Sequence, residues 1–353
     1  MAHANSSSYG AHSLIPEEST RKRHPLPFPD GWFAVGFSDD LKPGTLHTVP
    51  FMDEEVVLYR TRSGIARIIE PYCPHLGAHL GYGSKVDGEH LICPFHGLRY
   101  GIDGYCSKQG AGAPLQHIRL NTRETRELNG LLYVWHDSKG RPPAWELPLF
   151  DLVDYSPPRE SLINIRGGHI QDCVEGAVDL AHMSWLHGLA DPVLSPPHFD
   201  QHRMEIDLTA VWHGLPFIMH LDIYGLGYVH LISKLPSLGV SITTLLTSTP
   251  VRSQEWIIRH AQRLQIPLFV RFPSLLQRVL YAPLTWYIDY WLKSQLKRDA
   301  KIWHHRRYKK QPCLTSEDGP IMRYRQWTTQ FYSAMETGCT MSDGQHVQQD
   351  STP

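Results

Sequence analysis

The chain has 353 residues, 41% of them hydrophobic, and a formal charge of −1 at pH 7. That length allows two domains with cores of their own, at ~150 residues per domain. The near-neutral balance disfavours a general nucleic-acid binder, and six scattered cysteines are too sparse for a disulfide framework and fit a reducing, cytoplasmic compartment.

Residues 1–24, "MAHANSSSYGAHSLIPEESTRKRH", are polar, lack the apolar run of a secretory signal, and read as a disordered tail. From about Phe28 to Asp137, short alternating runs such as "EEVVLYRT", "HLICPFH" and "GLLYVWHD" lie between turn signals. This pattern predicts a small all-β domain at 25–145. "SKGRPPAWELPLF" (138–150) carries three prolines and places the boundary. Beyond it, "GHIQDCVEGAVDLAHMSWLHGL" has helical spacing, residues 204–262 return to strand-like runs, and 285–310 reads as a long helix with a basic end. The second domain, 146–335, is therefore α+β. Residues 336–353 form a polar tail. The most apolar stretch, 266–292, is interrupted by Arg271, Arg278, Pro273 and Pro283, which a spanning helix tolerates poorly, so no integral membrane span is expected. Its composition suits core, a wall for an apolar substrate or a surface touching membrane.

"CPHLGAHL" (73–80) and "CPFHGLRY" (93–100) supply Cys73, His75, Cys93 and His96 on two loops of the β domain. A [2Fe–2S] cluster with two thiolates on one iron and two imidazoles on the other, a Rieske centre, needs that set, and so does a closed structural zinc site. His79 and His90 are read as loop or surface residues, because four ligands already complete either site.

"EGAVDLAHMSWLHGL" contains Glu175, Asp179, His182 and His187. Five residues turn a helix about 140° away from the starting direction, so both histidines can face one ion only if the helix ends or distorts between them. The spacing is wrong for an HExxH zinc hydrolase, and no glutamate lies between the two. Two histidines and one carboxylate on one face of Fe(II) leave positions open for dioxygen and substrate. Asp179, three residues before His182, shares its helical face and can support that ligand. Taken alone, the histidines read more readily as a packed pair beside Trp185 than as ligands.

The two Cys/His loops resemble those of the Rieske non-haem iron oxygenases, and the spacing agrees. Ala78 and Phe95 stand where respiratory Rieske proteins carry extra cysteines. The His182/His187 segment meets the spacing of that family's mononuclear-iron signature, with Glu175 where relatives have asparagine, which leaves its role open. "RDAKIW" resembles the helix that carries the family's carboxylate ligand and nominates Asp299, with Asp289 as the fallback. The resemblance further implies a helix-grip catalytic domain, a homotrimer, and a bridge from Asp179 to His96 of a neighbouring subunit. "EDGPIMRYRQWTTQFY" is similar to the closing segment of the branch that includes ketosteroid 9α-hydroxylase, aminopyrrolnitrin oxygenase and cholesterol 7-desaturase.

The expectation is a terminal oxygenase component with one [2Fe–2S] cluster and one Fe(II) per chain. It would use O₂ to oxidise, most readily by hydroxylation, a hydrophobic small molecule, polycyclic ones included. Desaturation, N-oxidation and demethylation would use the same iron. No flavin or nicotinamide fingerprint is present, so a flavin reductase, a ferredoxin or both must deliver electrons from NAD(P)H. The rival readings are a Rieske electron carrier without catalytic iron and a structural zinc scaffold.

Overall fold

The computed structural model describes residues 25–107 and 115–333; the expected tails at 1–24 and 336–353 lie outside them. The first half is built from three antiparallel sheets. Leu131–His136 runs between Gly31–Phe37 and Thr125–Leu128. Covered on both faces, it reads as a continuous apolar run whose first five residues are all buried. A four-stranded sheet orders Thr122–Arg123, Ala66–Ile69, Glu54–Arg60 and Leu46–Phe51, and a five-stranded one runs from Lys85–Asp87 through His90–Ile92, Arg99–Tyr100 and Tyr105–Ser107 to Leu115–Arg119.

The second half is an eight-stranded antiparallel sheet. Its order is Arg159–Arg166, Glu255–Gln265, Val240–Arg252, Tyr228–Leu235, Leu215–Tyr224, Arg203–Trp212 and Ala190–Leu194, with His198–Asp200 also paired to Arg203–Trp212. In Arg203–Trp212, the buried Met204, Ile206, Leu208 and Ala210 alternate with polar or exposed neighbours, the period-two pattern of a strand with one covered face. Five helices accompany the sheet: α1 (Ile170–Glu175), α2 (Leu180–Trp185), α3 (Pro267–Val270), α4 (Ser274–His305) and α5 (Ile321–Thr328). This is the expected α+β, helix-grip arrangement.

Helix α4 lies against the sheet. Trp303 packs on Trp256 with ring centroids 5.2 Å apart, and nearer the other end the Ile266 N–H donates to the Tyr281 hydroxyl at 3.0 Å. The helix starts eleven residues before the expected 285 and ends five before 310. Pro273 precedes its first turn, where a missing N–H costs nothing, and beyond Pro283 the Thr285 hydroxyl donates to the Tyr281 and Ala282 carbonyls. At the far end Arg306 turns extended and its guanidinium joins Asp172 at 3.2 Å and Glu175 at 2.9 Å. No helix among the described residues is long and apolar enough to cross a membrane.

The two halves share one hydrophobic cluster running from Phe33 and Val35 to Leu246 and Trp256. Arg259, on the large sheet, donates to the carbonyls of Ala34 at 2.9 Å and Val35 at 3.1 Å. Gly227 sits at this seam, and a Cβ there would overlap the Trp32 carbonyl oxygen and the Phe33 ring. Because backbone cannot yield as a flexible side chain does, Gly227→Ala is expected to cost about 1–3 kcal/mol and to lower the thermal unfolding midpoint by several degrees. A midpoint equal to wild type would show that the seam is looser than this contact implies.

Candidate metal centres and substrate cavity

The two Cys/His loops are one turn made twice. Cys73 N–H donates to Ala78 O at 2.9 Å and Gly77 N–H to Cys73 O at 2.9 Å; Cys93 N–H donates to Leu98 O at 2.9 Å and Gly97 N–H to Cys93 O at 3.1 Å. Gly77 and Gly97, each four residues after its cysteine, take left-handed φ of 72° and 67°. Cys73 and Cys93 are buried among Leu80, Leu91, Tyr100 and Leu120, whereas His75 and His96 are exposed with ring centroids 4.9 Å apart.

This arrangement fits a cluster with thiolates on its inner iron and imidazoles on its outer one. Burial pushes the Cys93 thiol above its ordinary range, so two neighbouring thiolates here require a compensating cation. The Tyr100 hydroxyl, 3.0 Å from Cys73 Sγ, can donate to that sulfur once it is a thiolate. The outer rim is apolar: Tyr72, Leu76, Tyr82 and Phe95 are all at least 61% exposed, the character of a docking surface. His79 stands aside from the four, its Nε2 3.0 Å from Glu55 and its Nδ1 accepting from Gly81 N–H.

The second group forms where two helices end. α1 stops at Glu175, the chain turns, and Asp179 caps α2 by accepting from His182 N–H at 3.3 Å. α2 ends at Trp185, so His187 leaves the helical register and swings beside His182, with ring centroids 4.9 Å apart. Asp299 on α4 completes the set, its Oδ1 3.4 Å from His187 Nε2, and the three donor atoms lie within 4.8 Å of one another.

Hydrogen bonds orient both rings. His182 Nδ1 lies 2.6 Å from the Asp179 carbonyl oxygen, to which it can only donate, and His187 Nδ1 donates to Gln295 Oε1 at 3.2 Å. Each Nε2 keeps its lone pair for a metal, the outer-shell support that metal-bound imidazoles require. Gln295 went unnoticed in the sequence, although it lies four residues before Asp299 and so on its helical face. Cys173 lines the same cavity, but burial pushes its thiol up to about 12, which keeps it protonated and a poor competitor for the metal.

The fallback Asp289 is corrected: it is not near the histidine pair but buried on α4 against Lys293 at 2.9 Å and His260 at 3.8 Å. The segment 266–292, which the sequence leaves open, divides between cavity wall, core and surface. Tyr287, Ile288, Trp291 and Leu292 line the cavity, Tyr281 is core, and Leu275 and Val279 are exposed. Glu175, open in the sequence, is buried in an ion cluster, accepting from Arg325 at 2.6 and 3.0 Å and from Arg306 at 2.9 Å. Tyr324 and Tyr332 donate to Gln171, so α5 and the residues after it hold α1, and with it the turn leading to Asp179.

The His182/His187/Asp299 group opens on a cavity of about 330 Å³. Its walls are the inward residues of three central strands, among them Phe217, Met219, Leu231 and Leu246, and the α4 face bearing Ile288, Trp291 and Leu296. Such a lining binds an apolar molecule and excludes water from it.

Residues 31–119 match the family described as Rieske [2Fe-2S] domain, and residues 134–332 the family described as 3-Ketosteroid 9alpha-hydroxylase C-terminal domain. The chain is 30% identical over 352 residues to a cholesterol 7-desaturase of Ciona intestinalis, covering 88% of this chain and 70% of that one. It is 25% identical over 343 residues to the oxygenase component of 3-ketosteroid-9-alpha-monooxygenase of Rhodococcus rhodochrous, covering 91% of this chain and 90% of that one. Dicamba monooxygenase bound to dicamba shares the fold, with a TM-score of 0.65 at 15% identity over 88% of this chain and 98% of that one. A Rieske domain followed by this catalytic domain defines a Rieske-type oxygenase, an oxidoreductase with one [2Fe–2S] cluster and one mononuclear iron. Within that class the chain belongs to the 3-ketosteroid 9α-hydroxylase C-terminal domain family.

If Gln295 fixes the His187 ring, Gln295→Ala should weaken iron retention roughly 10–100-fold while leaving the [2Fe–2S] absorption intact. Iron affinity equal to wild type, measured by competition with a chelator, would remove that role.

Proposed function

We propose that this chain is a terminal oxygenase component whose [2Fe–2S] cluster is held by Cys73, His75, Cys93 and His96 and whose iron is held by His182, His187 and Asp299. The observation that carries the reading is the three-donor group at the wall of an apolar cavity. A pure electron carrier needs neither the group nor the cavity. When bound, the cluster supplies electrons singly and the iron supplies reductive activation of dioxygen.

The rest is the work of this chain's residues. Met219, Leu231, Leu246 and Trp291 desolvate the substrate and press it toward the donor group. Asp179 O and Gln295 hold the two imidazoles in the Nε2-free tautomer. The chemistry we favour is hydroxylation of a C–H bond in a hydrophobic small molecule, polycyclic ones included; the relatives comprise both a monooxygenase and desaturases. Electrons come from a separate ferredoxin, flavin reductase or both, meeting the part of the apolar rim that the contact at His96 leaves open. The described cysteines, all unpaired, suit a reducing cytoplasmic setting.

We further propose a homotrimer in which Asp179 of one subunit meets His96 of the next. The Asp179 side chain is 32% exposed, the adjoining Trp185 is 92% exposed, and His96 lies beside exposed Phe95, so both partners of the bridge carry an apolar collar.

Protein purified without oxygen and supplied with Fe(II) should hold about three iron and two acid-labile sulfide per chain. His182→Ala should hold about two of each with an unchanged cluster spectrum and no detectable substrate oxidation. Zinc without sulfide, or full activity in His182→Ala, would defeat the proposal. Asp179→Asn should keep both metals yet slow oxidation of the reduced cluster in a single turnover, and a wild-type rate there would eliminate the bridge.

A further inference from the structure

The first half of α4 packs one side on the sheet, where Tyr281, Thr285 and Asp289 are buried at four-residue intervals, and turns another to the outside. That outer side is apolar. Leu275, Val279, Trp286 and Tyr290 fall within about 60° of one another around the helix, and each is at least 56% exposed. The Trp286 and Tyr290 rings stack there, with centroids 5.8 Å apart. Leu268 on α3 is exposed beside the same helix, which α3 meets through Phe269 and Tyr281. One exposed leucine is ordinary, but a stripe of four apolar side chains about 22 Å long, extended by a neighbouring helix, is an uncovered interface.

The charges on this segment are of one sign. Between residues 266 and 298 the cations are Arg271, Arg278, Lys293, Lys297 and Arg298, and the single carboxylate, Asp289, is buried against Lys293. Arg271, Arg278 and Lys297 are exposed and have no carboxylate partner among the described residues. A second copy seated here about a two-fold axis would set cations against cations, whereas an anionic lipid surface complements them. Apolar side chains with Trp and Tyr among them, bordered by long basic ones, make up a helix that lies in the bilayer interface with its rings at headgroup level. Such a helix does not cross the membrane, and no described helix is long and apolar enough to do so. The face is also clear of the subunit contact proposed at Asp179, which is beside the metal group: Leu275 and Tyr290 lie about 36 and 14 Å before Asp299 along α4.

We propose that α3 and the first half of α4 form a docking surface for an anionic lipid bilayer, on which the protein lies without crossing. The stripe from Leu275 to Tyr290 enters the boundary between headgroups and acyl chains, and Arg271, Arg278 and Lys297 meet the anionic headgroups. Tyr287, next to Trp286, is exposed and is also part of the cavity wall, where Ile288 and Trp291 follow it. Docking therefore brings that wall to the lipid, the phase in which a hydrophobic substrate dissolves. This last consequence rests on the proposed function; the docking itself does not.

The test is sedimentation of the whole, metal-loaded chain with vesicles of phosphatidylcholine alone and of phosphatidylcholine and phosphatidylserine in equal amounts. Wild type should partition onto the mixed vesicles about ten-fold or more strongly than onto phosphatidylcholine, and added salt should shrink that preference. Leu275→Ser combined with Val279→Ser should lower binding to both kinds of vesicle about ten-fold or more. Arg271→Gln combined with Arg278→Gln should remove most of the preference for the mixed vesicles. None of these four side chains lines the cavity or belongs to the donor group, so cluster spectrum, iron content and melting temperature should stay those of wild type. A wild type that remains in the supernatant with the mixed vesicles, or variants that sediment as wild type does, overturns the proposal. Self-association beyond the trimer that the paired serine variant abolishes also overturns it, because the face would then belong to a second copy. These outcomes leave iron and sulfide per chain untouched and the oxygenase reading standing; zinc without sulfide would defeat that reading and leave the docking.

Discussion

The packing of α4 against the large antiparallel sheet is the contact on which the catalytic half depends. One 32-residue helix carries Asp299, carries Gln295 behind His187, forms one wall of the cavity, and sends Arg306 from its end into the buried cluster around Glu175. Trp303 on Trp256 sets its height over the sheet. A slide of one helical turn along that seam, about 5.4 Å, would carry the carboxylate out of reach of both histidines.

Beside this seam is the ion cluster in which Arg325 and Arg306 close on Glu175, with Asp172 next to it. Burial alone would make those charges costly, and what makes them tolerable is that nearly every oxygen is matched by a guanidinium nitrogen. The cluster ties the end of α4 and the last turn of α5 to α1, so the short turn that delivers Asp179 and His182 is gripped from two sides. Short helices of six residues have little stability of their own, and α1 and α2 keep their places through these contacts.

What could be read in the sequence was what is local. The Cys/His loops are self-contained turns, so ligand identity and spacing sit within eight residues each, and the five-residue interval between His182 and His187 correctly implied that the helix ends before the second histidine. The all-β first half was legible from its alternating runs. Asp299 lay beyond local reading, because 112 residues separate it from His187 and only resemblance chose it over Asp289. Gln295 and Tyr100 were invisible for a related reason: each matters through which strand or helix it faces, and that register is set by tertiary packing. The extent of α4 was misjudged because its prolines fall at the first turn and at a position where Thr285 donates to preceding carbonyls.

The cavity's two kinds of wall have unequal freedom to vary. Residues of α4 such as Trp291 and Leu292 share a rigid rod with the carboxylate, so a change of bulk there is transmitted to the metal group. The inward side chains of the sheet, Phe217, Met219 and Leu231 among them, stand on strands whose ladders are independent of the three donors. Diversification of substrate range within such a scaffold would therefore accumulate on the strands while the helix drifts slowly, and a homologue with altered chemistry at the iron should betray itself by changes on the helix instead.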